Sequence, residues 1–163
     1  MRFQAEHRFP AAPEAVAALL VDPEFHEGLE LPDLALLDVV DHRVDGGEAL
    51  LSLRYEYVGH LEPVAQRLVG RAQLTWIQEA VVDRVTGDGR LRFAVEGHRD
   101  RLYGRAQFTL RPDGDETVWA LHGEVKVRVP LVGSTAERRI LDGVLRRLDI
   151  EAQQMTERLL AQP

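Results

Sequence analysis

The sequence contains no cysteine and no asparagine, and Lys126 is its only lysine. The absence of cysteine excludes disulfide bridges, thiolate zinc sites, iron-sulfur clusters and cysteine nucleophiles. Aromatic residues make up only 6% of the chain. No uninterrupted apolar run reaches the roughly 18 residues of a membrane-spanning helix, so we expect no stable membrane insertion. The first residues lack a basic stretch followed by an apolar run, which predicts a cytoplasmic protein.

Acidic residues outnumber basic ones, which gives the chain a formal net charge of -7 at pH 7. Phosphate binding needs a concentrated basic surface, so this balance argues against a nucleic-acid partner. Hydrophobic residues make up 45% and charged residues 29% of the chain, as in ordinary globular proteins. Its 163 residues can bury a sizeable core, and we expect a single domain over residues 1–163.

Residues 1–9 alternate between apolar and polar side chains, which predicts a half-buried strand. Phe3 and His7 fall on its inner face. Pro13 suits the first position of a helix, and the Asp22–Pro23 pair has the pattern of a cap and first residue of another. We therefore expect two short helices after the first strand.

Strand patterns dominate residues 34–129, where no helical period is long enough for a parallel crossover. Turn sequences such as Gly87-Asp88-Gly89 separate consecutive runs. These features predict an antiparallel meander within an α+β fold. The candidate strands cover residues 34–44, 48–58, 72–84, 90–98, 102–111 and 116–129. The 59–71 connection exceeds a hairpin loop, and its 62–68 segment predicts a helical turn or lid.

The last segment has the pattern of one long amphipathic helix over residues 134–160. Ser134 and Glu137 have the spacing of a capping box, in which each side chain satisfies a backbone donor of the first turn. Apolar residues then recur at alternating spacings of four and three residues: Leu141, Leu145, Leu148, Ala152, Met155 and Leu159. The sheet is the only large apolar surface available to cover this stripe, so we expect the helix to lie across it.

Arginines and acidic residues are interleaved along the same helix, which predicts a solvated face with salt bridges. The arginines are Arg138, Arg139, Arg146, Arg147 and Arg158, and the acidic residues are Asp142, Asp149, Glu151 and Glu157. An acidic partner is the alternative interpretation of these arginines.

Two motifs carry a resemblance to a known superfamily. Residues 10–16, Pro-Ala-Ala-Pro-Glu-Ala-Val, lead to Asp22–Pro23, and residues 127–133, Val-Arg-Val-Pro-Leu-Val-Gly, lead into the final helix. With the order of elements, they resemble the START-like (SRPBCC) superfamily of lipid-transfer domains, pollen-allergen-like proteins and polyketide cyclases. Within it they look most like a bacterial branch classed as a domain of unknown function, for which no catalytic residues are assigned.

The resemblance implies the helix-grip fold. In this fold one curved antiparallel sheet of about seven strands wraps around the long C-terminal helix. A cavity between the two binds lipids, hormones, polyketides or other apolar compounds in members of the superfamily, although some members are enzymes and others bind proteins.

The strand pairing near the C-terminus predicts a band of glycines. If the hairpin closes on a two-residue turn at Asp113–Gly114, Phe108 lies opposite Trp119 and Gly104 lies opposite Gly123. Gly97 extends the band on the neighbouring strand. Either the missing side chains leave room for a ligand, or they allow the sheet to bend sharply over its own core.

The polar groups that face the predicted cavity are His7, Tyr55, Tyr57 and Gln78. An imidazole with a pKa near 6.5 serves as an acid, a base or a polar anchor, whereas a core histidine bonded to a backbone carbonyl is the alternative. The tyrosines either offer hydroxyls to the cavity or belong to the core.

The sequence provides no motif for a metal, a cofactor or a catalytic triad. The six histidines form neither a His-x-His nor a His-Glu-x-x-His pair. Ser52 faces away from the apolar side of its strand and Ser134 is assigned to the cap, so no serine nucleophile is predicted. We therefore assign no catalytic residue and no cofactor.

The leading hypothesis is a binding protein for a hydrophobic or amphipathic small molecule or lipid. A polyketide cyclase- or dehydratase-like enzyme using the same pocket, and a chaperone-like protein-interaction module, are the alternatives. The ligand and the oligomeric state are not specified by the sequence. The predicted ligand-binding residues are Phe3, His7, Tyr55, Tyr57, Trp76, Phe93, Gly104, Phe108, Trp119, Leu121, Gly123, Leu141, Leu145 and Leu148.

Overall fold

The computed structural model describes residues 1–70, 73–131 and 133–162. The elements follow the order β1 (Arg2–Phe9), α1 (Pro13–Leu20), α2 (Pro23–Glu27), β2 (Leu34–Asp45), β3 (Glu48–Tyr57), α3 (Pro63–Val69), β4 (Thr75–Asp83), β5 (Asp88–Val95), β6 (Leu102–Asp113), β7 (Glu116–Val127) and α4 (Gly133–Ala161). The predicted fold is confirmed. Three residues of predicted features lie outside the described residues. They are Arg71 of the predicted 59–71 connection, Ala72 at the start of the predicted strand 72–84, and Val132 of the second motif.

In the described part of the chain, one seven-stranded sheet has the order β1-β7-β6-β5-β4-β3-β2. Its pairings are antiparallel, and all but the β1–β7 pair join strands that are neighbours in sequence. The predicted turn sequences therefore join β2 to β3, β4 to β5 and β6 to β7, whereas the longer connection that contains α3 joins β3 to β4. Two bulges bend the edge strand β2, between Leu36 and Asp38 and between Val39 and Asp41.

The two short helices follow β1 as predicted. Asp22 caps α2, because its carboxylate accepts a hydrogen bond of 3.0 Å from the backbone N–H of Glu24. Helix α1 contacts β6 and the long helix α4. Val16 and Leu20 on α1 are buried, so this helix covers one end of the concave face of the sheet.

The predicted register of the β6–β7 hairpin is wrong. Gly104 pairs with Val125, and Gly123 pairs with Ala106, so each residue meets a partner two positions further along the opposite strand. The turn is centred on Gly114–Asp115, and Gly114 has a φ of 62° at the first central position, where a type II′ turn requires glycine. Because a shift of two positions keeps the same side chains inward, the apolar pattern did not distinguish the two registers.

The glycines of this region do not form an open band. A Cβ atom at Gly104 would clash with the Phe93 ring, and one at Gly123 would clash with the carbonyl oxygen of Arg105. Gly97 does not extend β5, since it lies in the following turn with a φ of 77°. Gly104 and Gly123 therefore allow close packing of strands and rings, which favours the structural interpretation of these glycines over room for a ligand.

The long helix begins at Gly133, so Ser134 lies inside its first turn. Glu137 does not complete a capping box with Ser134. Its carboxylate accepts hydrogen bonds from the backbone N–H of Val127 at 3.0 Å and from the amino group of Met1 at 3.1 Å. These bonds hold the pKa of Glu137 below its usual range. Glu137 therefore ties the start of α4 to the sheet. In the described ranges, no helix combines the length and the apolar character of a transmembrane span.

The second half of α4 packs tightly on the sheet. Met155 and Trp119 are fully buried, and Phe9 and Phe108 place their ring centroids 6.1 and 6.0 Å from that of Trp119. Side chains of α1 complete this core. In the first half of α4, Val144 is only half-buried, and the space in front of it is not filled by side chains.

Candidate functional site

A cavity of about 800 Å³ lies between the first half of α4 and the concave face of the sheet. Its wall comes from inward-facing positions of neighbouring strands, because Trp76 pairs with Val95 and Phe93 pairs with Gly104. The helix contributes a row of apolar side chains at four-residue spacing, Ala136, Ile140, Val144 and Leu148, flanked by the charged residues Arg139, Asp142, Arg146, Arg147 and Glu151. The sheet and the helix therefore enclose a space whose surface is predominantly apolar.

The mouth of the cavity lies between α3, the segment before β2 and α4. Glu62, at the start of α3, forms an ion pair with Arg139 of α4. Both side chains are more than half exposed, so this pair contributes little to stability. Tyr57 also lines the mouth and donates a long hydrogen bond of 3.5 Å to the carbonyl oxygen of His60. The predicted helical turn in the 59–71 connection is thus helix α3, which borders the cavity.

Arg147, Glu151 and Tyr55 form a polar cluster beside the apolar wall, and we refer to these three residues as the buried polar cluster. The Arg147 side chain is 11% exposed and the Glu151 side chain 6%, and Nε of Arg147 lies 3.8 Å from Oε2 of Glu151. The guanidinium carbon of Arg147 lies 4.4 Å from the ring centroid of Tyr55, a cation–π contact. Arg147 and Glu151 line the cavity directly.

Two buried donors of this cluster lack hydrogen-bond partners among the described residues: Nη2 of Arg147 and the hydroxyl of Tyr55. Burial raises the pKa of Tyr55, and the nearby Arg147 opposes that shift. The phenol therefore remains protonated at neutral pH and is available as a donor. Unsatisfied buried polar groups are uncommon in proteins, and of these two residues Arg147 lines the cavity, so a ligand or water is the partner expected for Arg147.

The sequence-based interpretation of Arg147 and Glu151 as parts of a solvated face is wrong. Each turn of 3.6 residues places them on one flank of the stripe that contains Leu148, the flank that faces the cavity. A signal was present in the sequence, because Ala136, Ile140 and Val144 form a second apolar row that leads to this flank. The row was not recognised because charged residues are interleaved with it along the sequence.

The His7 side chain extends from β1 towards α4, next to the packed core and outside the cavity wall. Its ring centroid is 5.6 Å from that of Trp119, and its Nε2 is 3.8 Å from Oδ1 of Asp149. Burial lowers the pKa of His7, whereas Asp149 and Glu151 raise it by a smaller amount. The histidine is therefore mainly neutral at pH 7, and it does not provide the polar group of the cavity that the sequence analysis expected.

The structure places seven of the predicted ligand-binding residues on the cavity wall: Phe3, Tyr57, Trp76, Phe93, Gly104, Leu121 and Leu148. The other seven are outside the wall: His7, Tyr55, Phe108, Trp119, Gly123, Leu141 and Leu145. Tyr55 nevertheless reaches the site indirectly, since it stacks on Trp76 with a centroid distance of 5.8 Å and contacts Arg147. Ligand binding by any of these residues remains a prediction.

Further polar residues line the cavity: His26, Asp33, His60, Gln78, Arg92, Arg105, Asp142 and Arg146. Gln78 faces it from β4, as the sequence analysis expected. His26 is 3% exposed and its Nε2 lies 3.1 Å from the carbonyl oxygen of Leu20, which links α2 to α1. Across the described ranges, no three histidine or acidic residues are close enough together to hold a metal ion.

A curved antiparallel sheet around a long C-terminal helix, with a cavity between them, is the helix-grip fold that the sequence motifs predicted. The chain belongs to a family described as a protein of unknown function, DUF2505, whose model matches residues 4–159. This agrees with the bacterial branch that the sequence motifs resemble. No curated protein matches the chain by sequence.

Solved structures with the same fold include three that cover nearly the whole chain. TTHA0849 from Thermus thermophilus is 20% identical with a TM-score of 0.66, over 99% of this chain and 98% of that chain. Ara h 8.0201 is 12% identical with a TM-score of 0.68, over 99% of both chains. The ZhuI aromatase/cyclase from Streptomyces sp. R1128 is 14% identical with a TM-score of 0.59, over 97% of this chain and 92% of that chain.

Proposed function

We propose that this protein binds an apolar or amphipathic small molecule or lipid between α4 and the sheet. The observation that carries the proposal is the cavity of about 800 Å³ with its mainly apolar wall. Pockets for small molecules typically have volumes of about 300–1,000 Å³ and a few well-placed polar groups in an apolar lining. The proposal includes a single domain over residues 1–163, a cytoplasmic location and no nucleic-acid partner.

The fold is compatible with catalysis, as the name of the aromatase/cyclase indicates for that protein. Binding is favoured here because the cavity wall is mainly apolar and Tyr55, the phenol of the buried polar cluster, keeps its proton at neutral pH. A general base needs a pKa near the working pH, and burial moves the pKa of Tyr55 away from it. An interaction module with a filled core is disfavoured by the volume of the cavity.

The positions of the two tryptophans provide a direct test. Trp76 lies in the cavity wall, whereas Trp119 is fully buried and outside it. Their strands are separated by three strand spacings, which is about 14 Å along the sheet. Bromine quenches indole fluorescence only at close approach, so a brominated alkane in the cavity reports on Trp76.

We expect titration with 1-bromodecane to quench a large part of the wild-type emission, with saturation. The same titration of Trp76→Phe, in which Trp119 is the only remaining tryptophan, should quench little. Decane is the matched control, because it occupies the same space without a heavy atom. Equal saturable quenching in wild type and Trp76→Phe would place the ligand near Trp119. If neither 1-bromodecane nor decane changes the wild-type emission, the proposed binding is contradicted.

A further inference from the structure

We propose that the buried polar cluster of Arg147, Glu151 and Tyr55 is the recognition site for the polar end of the ligand, and that it selects neutral compounds bearing a hydroxyl group. The inference rests on the proposed function, because it assigns the chemistry of the ligand that enters the same cavity. Two properties of the three residues carry it, their hydrogen-bonding capacity and their charge.

The cluster offers donors and an acceptor at one place. Nη2 of Arg147 and the hydroxyl of Tyr55 have no partner among the described residues. Oε2 of Glu151 meets Nε of Arg147 only at 3.8 Å, which is beyond hydrogen-bond distance. A ligand hydroxyl both donates and accepts, so it can donate to the Glu151 carboxylate and accept from Arg147, both of which line the cavity. A ketone or an ether can only accept.

Charge favours a neutral ligand. Arg147 and Glu151 carry opposite charges within 4 Å of each other, so the buried pair is neutral as a unit. A ligand carboxylate would add an unbalanced negative charge next to Glu151, and desolvation of that charge is costly in a mainly apolar cavity. The neutral pair therefore selects against fatty-acid-like anions and retains affinity for alcohols and phenols.

The guanidinium group is held in place by aromatic contacts. Arg147 lies over the Tyr55 ring, and that ring stacks on Trp76 with an interplanar angle of 18°. Trp76 belongs to the cavity wall. The polar cluster thus continues directly into the apolar surface, which is the arrangement needed for a compound with one polar end and an apolar body.

Three naphthalene derivatives of similar size test the inference by calorimetric titration at pH 7. 2-Naphthol donates and accepts, 2-methoxynaphthalene only accepts, and 2-naphthoate is an anion. We expect wild type to bind 2-naphthol about tenfold more tightly than 2-methoxynaphthalene, the effect of one hydrogen bond to a charged group. We expect 2-naphthoate to bind more weakly than 2-naphthol.

The decisive variant is the double substitution Arg147→Met and Glu151→Leu. Removal of Arg147 alone would leave a buried, unpaired carboxylate, whereas removal of both charges leaves an apolar wall that is compatible with folding. We expect this variant to bind 2-naphthol and 2-methoxynaphthalene with equal affinity. The matched control is Arg158→Met with Glu157→Leu, two exposed residues of the same helix, and it should keep the wild-type preference.

The outcomes separate the inference from the proposed function. Binding of all three compounds by wild type without a preference for 2-naphthol would overturn the inference and leave the proposed function intact. A preference that survives the double substitution would also overturn it. Failure of wild type to bind any of the three, together with failure to bind 1-bromodecane, would overturn both.

Discussion

The two halves of α4 face the same sheet but meet it differently. In the second half, Ala152, Met155 and Leu159 are buried against β1, β7 and α1. In the first half, Ile140 and Val144 are only half-buried, and the cavity lies in front of them. The difference arises from what covers the sheet. At one end, α1 and the rings of Phe9, Phe108 and Trp119 fill the space between the sheet and α4. At the other end, no comparable layer of described residues fills it.

This comparison separates stability from binding. Dense packing lets the second half of the helix contribute more hydrophobic stabilisation than the first, since apolar area removed from water contributes about 25 cal/mol per Å². The first half leaves apolar surface uncovered by protein, and that surface is available to a ligand. A chain that filled both halves would be more stable and would have no site.

The largest expected effect comes from Leu148→Asp, at the junction of the two halves. Leu148 is 6% exposed and belongs to the main core cluster. A carboxylate there would be buried without a partner, so we expect the cooperative thermal transition to be lost. The control is Leu160→Asp on the same helix, where the side chain is 68% exposed and the change should be within about 0.5 kcal/mol. A normal melt for Leu148→Asp would remove α4 from the core.

The second prediction contrasts one residue from each half. Met155→Ala should lower the free energy of unfolding by about 2–5 kcal/mol, because it creates a void in a closed core. Val144→Ala should cost less than about 1 kcal/mol, because its side chain already borders an open cavity and leaves no new void. Urea denaturation of both variants measures the difference. Equal losses would show that the two halves are packed to the same extent.

The third prediction contrasts two glycines. Gly123→Ala should destabilise the protein by about 1–3 kcal/mol, because the new Cβ would lie 2.7 Å from the Ala106 Cβ and would clash with the Arg105 carbonyl. Gly143→Ala should stabilise it by about 1 kcal/mol, because a Cβ at this helical position meets nothing within 4 Å. Thermal melts of the two variants should therefore shift in opposite directions. A shift in the same direction would contradict the packing assigned to one of them.

The smallest expected effect is a pH dependence from His7. Burial lowers its folded-state pKa below 6.5, so the unfolded chain binds the proton more readily. The stability from neutral His7 is therefore complete above pH 6.5 and falls as the pH drops from 6.5 towards the lowered pKa. His7→Phe should flatten this part of the curve of unfolding free energy against pH. Asp149→Asn should steepen it, since the opposing Coulomb attraction is removed. Parallel curves for wild type and His7→Phe would contradict the shift.

Much of the fold was predictable because local patterns agree with it. The alternation in β1, the turn sequences between strands and the four-and-three spacing in α4 each report one periodicity, and each element was found near its predicted residues. The β6–β7 register was not predictable from that information. Two registers that differ by two positions bury the same side chains, and they differ in the turn, where Gly114 occupies the first central position.

The candidate site shows the same limit more clearly. Trp76, Phe93 and Leu121 were predictable as wall residues, because they point inward from their strands. Arg147 and Glu151 were not, because interleaved charges on a helix are usually solvated. The prediction for His7 was wrong for a related reason. The alternation shows that its side chain points inward from β1, but it does not show how far β1 lies from the cavity.

The sequence by itself determined which faces of the strands and of α4 are apolar, and therefore that a sheet and a helix must cover each other. It did so because period and composition are properties of neighbouring residues along the chain. Only the tertiary structure decided where that cover is incomplete, and that Arg147, Glu151 and Tyr55 meet at the edge of the remaining space. The volume of a cavity depends on how segments distant in the chain approach one another in three dimensions, and no local pattern encodes that distance.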